Sequence, residues 1–240
     1  MSTAKYDQRF SSAGKIMTAV FITSTGTGIG KTFLTAGLVR YFRDQARSVE
    51  AYKPVISGFD PSAPEASDTG VILSALGRGV TEEEIDRISP WRFAAPLSPN
   101  MAASKEGREI DFQALVTYSR KCAASADVAL IEGVGGIMVP LDGRHTVLDW
   151  MLEIRLPTLL VVGSYLGTIS HTLSALDALE HRGLEVRAIV VDETVESSVA
   201  FEDTVATIKQ FAQQTEVVAL PHLEGASQAH PAFANIGQRL

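Results

Sequence analysis

The segment Thr23–Thr32, T-S-T-G-T-G-I-G-K-T, constrains this chain more than any other stretch of it. It lies between a short apolar run, Ala19–Thr23, and a stretch, Phe33–Phe42, in which apolar residues recur at helical spacing. A strand that passes through a glycine-rich loop into a helix leaves backbone N–H groups free to converge on phosphate oxygens. The helix N-terminus adds its partial positive charge to the same spot. Gly30-Lys31-Thr32 closes the loop as the end of a Walker A motif does, and the flanking strand and helix supply the context that motif requires. In such a loop Lys31 reaches the β- and γ-phosphates of a nucleotide, and the Thr32 hydroxyl ligates Mg²⁺. The strict pattern carries glycine at position 25; Thr25 stands there, so the loop is a variant.

The rest of the chain alternates between apolar runs and helical periodicities. Strands are expected at Val49–Tyr52, Val128–Glu132, Pro157–Gly163, Val186–Asp192 and Val217–Pro221. Helices are expected at Asp68–Leu76, Phe112–Ala126, Thr168–His181 and Phe201–Gln213. Ser57–Ser67, with Gly58, Pro61 and Pro64, reads as a loop, and the Pro-rich, aromatic Ser89–Asn100 as an irregular surface segment. Strands alternating with helices imply an α/β, P-loop NTPase-like fold with a mostly parallel central sheet and helices on both faces. Residues 17–240 are expected to form a single domain, and the polar residues 1–16 a disordered extension. Met17, just before the first strand, is an alternative start.

Composition narrows the function classes. In 240 residues, 21 basic and 28 acidic side chains leave a formal charge of −7, which gives no support for broad nucleic-acid or anionic-membrane binding. Residues 1–15 are polar and small and lack the apolar h-region of a secretory signal, and apolar Ile16–Ile22 is far too short to span a bilayer. The single cysteine, Cys122, forbids an intrachain disulfide; it fits a reducing, cytoplasmic setting and reads as a buried structural thiol. The five histidines show no metal spacing, Trp91 and Trp150 read as packing residues, and Glu82-Glu83-Glu84 as a solvated helix start.

Mg²⁺ on a triphosphate calls for hard oxygen ligands, and two carboxylates are candidates. Glu132 ends the strand Val128–Glu132, at the sheet edge where ligands bind in open α/β folds, and Gly133-Val134-Gly135-Gly136 keeps the space beside it open. A charge ending a buried strand is costly unless it is used. Asp68 begins a helix; the residues alone leave open whether it is a ligand or an ordinary first-turn acid. Lys53, in Tyr52-Lys53-Pro54-Val55-Ile56-Ser57-Gly58, is either a second cation for the phosphate pocket or a surface lysine. The turn Gly163–Ser170 is either an anion site at a helix N-terminus or a plain strand-to-helix turn.

These pieces together resemble the dethiobiotin synthetase family from about Thr18 to Pro221. The resemblance is carried by TSTGTGIGKT, YKPVISG, Ser67-Asp68, SPWRFAAPLSP, IEGVGGIMVPL and LLVVGSYLGTISH. It implies an ATP- and Mg²⁺-dependent cyclo-ligase that makes the ureido ring of dethiobiotin from 7,8-diaminopelargonate and CO2 through a carbamate and a carbamic–phosphoric anhydride. Position by position, it implies a nucleotide site of Thr27, Gly28, Ile29, Gly30, Lys31, Thr32, Asp68, Glu132, Asp192 and Pro221. It implies Mg²⁺ ligation by Thr32, Asp68 and Glu132, and catalysis by Lys53 and Lys31 with Ser57 beside Lys53. Substrate contacts fall to Lys53, Ser57 and Gly135, and to Leu166, Gly167 and Ser170 reaching from the second subunit of a homodimer.

Four positions depart from the family. Ser24 stands in place of glycine, with strain or an altered loop expected there; Gly28 stands where an acid is common; Ser170 stands in place of Asn. Asp192 stands in place of the Asn that reads adenine; an ionised carboxylate offers acceptors only. Rival readings are a MinD- or ParA-like ATPase switch, an amidase domain of corrinoid synthesis and a binding module without catalysis. The switch proteins carry a second lysine where Gly26 stands, the amidases need a glutaminase domain for which 240 residues leave no room, and Lys31, Thr32, Lys53, Asp68 and Glu132 together argue against decay.

Overall fold

The computed structural model describes residues 17–223 and 230–240. The expected N-terminal extension, 1–16, lies outside the described residues. The chain runs β1 (Thr18–Ser24), α1 (Lys31–Asp44), β2 (Val49–Tyr52), β3 (Val55–Ser57), α2 (Asp68–Leu76), α3 (Glu82–Ile88), β4 (Trp91–Phe93), α4 (Pro99–Lys105) and α5 (Phe112–Ala123). It continues through β5 (Val128–Glu132), α6 (Val147–Ile154), β6 (Thr158–Gly163), α7 (Thr168–His181), β7 (Val186–Asp192), α8 (Phe201–Phe211), β8 (Val217–Leu220) and α9 (Pro231–Gly237).

Six strands form a parallel sheet in the order β2-β5-β1-β6-β7-β8. Every residue of β5 and β6 is buried, as continuous apolar runs require when helices cover both faces. On one side α1 packs with α2 and α9; on the other α5 packs with α6 and α7 with α8. Phe21 of β1 meets the fully buried Trp150 of α6 edge-on, centroids 4.8 Å apart, so the packing role expected for Trp150 is the one it has. The chain leaves β1 toward β2 on one side and returns to β6 on the other, which opens a crevice at the carboxyl end of β1.

Helix ends follow local chemistry. Ser67 caps α2 by accepting from Gly70 N, and Gly77 closes that helix in the left-handed region at φ 71°. Thr146 and Asp149 form a reciprocal capping box on α6. By contrast α1 starts from Gly30 at φ 81° with no side-chain cap, which leaves its first amides open toward the crevice.

One sequence expectation needs correction. Ser89–Asn100 is not an irregular surface segment. Trp91–Phe93 pairs in parallel with Val55–Ser57 as a separate two-stranded sheet, Ser89 and Phe93 are buried, and Pro99 opens α4. Three-residue strands are too short to show an alternation, so tertiary pairing alone defines them. Helices α4, α6 and α9 also went unforeseen, the first and last because they span seven residues each and start at a proline. Cys122 is buried and free, and burial pushes its thiol up to about 12. Among the described residues no helix is long and apolar enough to cross a membrane.

Candidate functional site

Three neighbouring parallel strands, β2, β5 and β1, end side by side at the crevice. Tyr52 pairs with Ile131 and Ile22 with Glu132, so the chain leaves β2 at Lys53 level with Glu132, and leaves β1 two residues later into the loop 25–30. Asp68, at the first turn of α2, closes the group from the side. Sheet register and the start of α1 thus gather residues 100 positions apart in sequence, Thr32 and Glu132.

Glu132 is fully buried and each of its oxygens is occupied. Oε1 accepts from Lys53 Nζ at 2.6 Å and Thr32 Oγ1 at 2.7 Å, and Oε2 accepts from Thr35 Oγ1 at 2.6 Å. Lys53, 3% exposed, also donates to Gly133 O at 2.9 Å and pairs with Asp68 Oδ2 at 3.2 Å. A buried ion pair of this kind is costly to break, since removing one partner strands the other and typically costs about 3–5 kcal/mol.

Burial opposes the Lys53 charge, but Glu132 and then Asp68 outweigh it and hold the ammonium above its ordinary value. Burial likewise works against the Asp68 carboxylate, while Lys53 and a hydrogen bond from Thr32 bring it below the usual range. Lys31 responds in the opposite sense: burial first, then repulsion from Lys53, lowers it to about 8. Its Nζ donates to Ser24 Oγ at 2.9 Å, Gly26 O at 3.0 Å and Gly135 O at 3.0 Å.

A cleft of about 700 Å³ opens over this group. Thr27, Gly28, Ile29, Gly30, Lys31 and Thr32 line one side. Lys53, Ser57, Asp68 and Gly135 line the other, and Pro96–Pro99 with Val139 form an apolar wall. The Ser57 hydroxyl is buried there without a hydrogen-bond partner. Asp192 ends β7 with its carboxylate against Gly30, where a Cβ would fall 2.2 Å from Oδ2; burial and then Glu193 push it up to about 7. Leu166 and Gly167 are exposed on the turn into α7, Ser170 is exposed within that helix's first turn, and the half-buried Pro221 follows β8. None of these four lines the cleft.

Sequence reasoning missed Thr35, which shares Glu132 with Thr32. The two threonines lie three positions apart on α1 and face the same way, a spacing that was visible. Of the two alternatives at Ser24, strain is not the one realised. The Ser24 φ is not positive and its hydroxyl is bonded, so the loop carries no strain there.

The Thr32 hydroxyl with the Asp68 and Glu132 carboxylates is an all-oxygen donor set of the hard kind that Mg²⁺ prefers. The Lys53 ammonium seated between the two carboxylates shows that the spot suits a cation. The residues therefore fit the ion. No group of three or more His, Cys, Asp or Glu side chains gathers for a metal among the described residues.

Comparison with known proteins adds to this geometry. The profile of a family described as an AAA domain matches residues 18–230. The chain is 46% identical over 178 residues to an ATP-dependent dethiobiotin synthetase BioD of Acidiphilium cryptum (strain JF-5), covering 73% of this chain and 80% of the relative. It is 43% identical over 222 residues to the protein of the same name from Phenylobacterium zucineum (strain HLK1), covering 91% and 93%. Among solved structures, a ParA family ATPase from Chlorobium tepidum TLS superposes with a TM-score of 0.54 at 16% identity, covering 94% of this chain and 91% of that one. At that identity the likeness shows the fold alone.

Proposed function

The chain belongs to the dethiobiotin synthetase family of ATP-dependent ligases, and from that premise we propose that it closes the ureido ring of dethiobiotin from 7,8-diaminopelargonate, CO2 and ATP. The observation that carries the site assignment is the convergence of Lys31, Lys53, Thr32 and Asp68 on one cleft, with the buried Glu132 bonded to Lys53 and Thr32 beneath it.

One amine of the diamine attacks CO2, a C–N bond forms, and loss of a proton leaves a carbamate. A carbamate oxygen then attacks the γ-phosphorus of ATP, and the bond to the departing ADP oxygen breaks. The second amine attacks the anhydride carbon, its C–N bond closes the ring, and phosphate leaves with the C–O bond electrons while the nitrogen loses its proton. Each step gathers or moves negative charge near one place, so positioning and fixed positive charge are what a protein contributes.

Lys53, held as an ammonium by Glu132 and Asp68, binds the carbamate and neutralises it as phosphoryl transfer proceeds. The unpartnered Ser57 hydroxyl donates beside it. Lys31 and the open amides of residues 27–32 hold the phosphates, and Gly135 borders the diamine. Thr32, Asp68 and Glu132 would hold Mg²⁺, which when bound neutralises phosphate oxygens. Asp192 and Pro221 lie toward the nucleotide base. Leu166, Gly167 and Ser170, outside the cleft of their own chain, contact the substrate carboxylate across a homodimer. In support, Leu166 is 80% exposed and Met138 61% exposed, apolar side chains that a second copy could cover. A cytoplasmic setting fits the free, buried Cys122.

Phosphate release from ATP and Mg²⁺, measured with and without 7,8-diaminopelargonate plus bicarbonate and with the product weighed by mass spectrometry, tests the assignment. Release that requires the diamine and yields dethiobiotin is the expected result. Release indifferent to the diamine would leave an ATPase of the switch type.

A further inference from the structure

Lys31 is the group that must meet the nucleotide, yet all three of its ammonium hydrogens are matched by protein acceptors: Ser24 Oγ at 2.9 Å, Gly26 O at 3.0 Å and Gly135 O at 3.0 Å. Lys31 is 6% exposed and Ser24 fully buried, so water cannot easily take a share. An ammonium satisfied in this way reaches a phosphate only by surrendering at least one of the three bonds.

The three acceptors are not equivalent. Gly26 O and Gly135 O are backbone groups fixed by the loops that carry them, and these loops touch. A Cβ on Gly136 would fall 3.0 Å from Thr25 backbone atoms. Ser24 Oγ is the one side-chain acceptor, and it is braced from both loops. Its single hydrogen is shared between Gly26 O at 2.6 Å and Gly135 O at 3.0 Å, and Gly26 N donates back to it at 3.3 Å. Bracing leaves the oxygen's lone pair aimed at Lys31. Hydrogen bonds to a charged donor are about twice as strong as neutral ones.

We propose that Ser24 is a positioning residue that latches Lys31 in the nucleotide-free chain, and that its hydroxyl competes with the nucleotide phosphate for the Lys31 ammonium. The inference rests on the nucleotide reading of the cleft. When the lysine leaves, the hydroxyl keeps its hydrogen on Gly135 O or Gly26 O, so the two loops stay tied while the ammonium is released. Ser24 thereby lowers nucleotide affinity without touching the nucleotide.

The test is a double-mutant cycle read by calorimetric binding of ADP with Mg²⁺ to the full chain: wild type, Ser24→Ala, Lys31→Ala and the double variant. The latch predicts that Ser24→Ala binds ADP about three- to tenfold more tightly than wild type, as loss of one charge-assisted bond in the free state implies. It also predicts that Ser24→Ala makes no difference when Lys31 is already alanine. Unchanged or weaker binding by Ser24→Ala, or a gain that persists without Lys31, overturns the latch while leaving the nucleotide site standing. Absence of ADP binding by the wild type overturns the nucleotide reading itself, and the latch with it.

Discussion

Asp192 holds its carboxylate against the Cα of Gly30 and finds no hydrogen-bond donor among the described residues, so burial and the neighbouring Glu193 raise it to about 7. An acid whose pKa is higher in the folded than in the unfolded chain binds more protons when folded. Stability therefore falls as pH rises from about 4 to about 7, and the cost is complete above that window. Asn at the same place carries no such cost. Asp192→Asn is accordingly expected to melt a few degrees above wild type at pH 8 without nucleotide, which corresponds to about 1–2 kcal/mol once solvent screening is discounted. The gap should shrink toward pH 5. Melting curves at both values check this, and a gap that grows on acidification would contradict it. Lys31 and Lys53 illustrate the same principle from the cationic side. One is lowered to about 8 and the other raised because only Lys53 has carboxylates in direct contact.

At the scale of the element, α6 shows how a local signal and a tertiary contact reinforce one another. Its Thr146–Asp149 box satisfies the first turn, with Thr146 N and Oγ1 donating to Asp149 Oδ2 at 2.7 and 2.8 Å. The helix then delivers Trp150 onto Phe21, directly under the strand that feeds the phosphate loop, and Trp150 Nε1 donates to Ser119 Oγ at 3.0 Å. Thr146→Ala removes the cap and should cost about 1 kcal/mol, or about 2–4 °C in Tm for a chain of this size. Activity per folded molecule should be unchanged, since no atom of the box faces the cleft. Thermal melting together with turnover reads both; a loss of turnover without a fall in Tm would show that the cap acts on the site instead.

For the whole molecule, the question is whether one chain completes a site. Lys53 lies in the cleft, and Ser170 is exposed in the first turn of α7, outside it. In the proposed homodimer, Lys53→Ala breaks a chain's own site, whereas Ser170→Asp places a negative charge against the substrate carboxylate bound by the other chain. Each variant alone should be inactive in ring closure. Co-expressed, half the dimers are mixed and each mixed dimer keeps one of its two sites intact, so about a quarter of wild-type activity should return. Dethiobiotin formation by the unfractionated co-expressed protein measures this, and the purified mixed dimer should reach about half of wild-type activity. No recovery would confine the site to a single chain.

The phosphate loop, the buried strands and most of the helices were legible in the sequence because they depend on local pattern: glycines between a strand and a helix, apolar runs, a 3.6-residue period. Glu132 was legible because a charge at the end of a buried strand needs a use. The two three-residue strands β3 and β4 were not, since no window that short carries a period and each exists only by pairing with the other. Nor was the bonding of the site. That Lys53 is level with Glu132, that Thr35 takes the second oxygen of that carboxylate, and that Ser24 braces Lys31 all follow from sheet register and loop contact. The sequence determined which groups the chain carries to the edge of its sheet. Tertiary structure decided which of them touch, because hydrogen bonds of under 3 Å depend on how strands far apart in sequence are aligned.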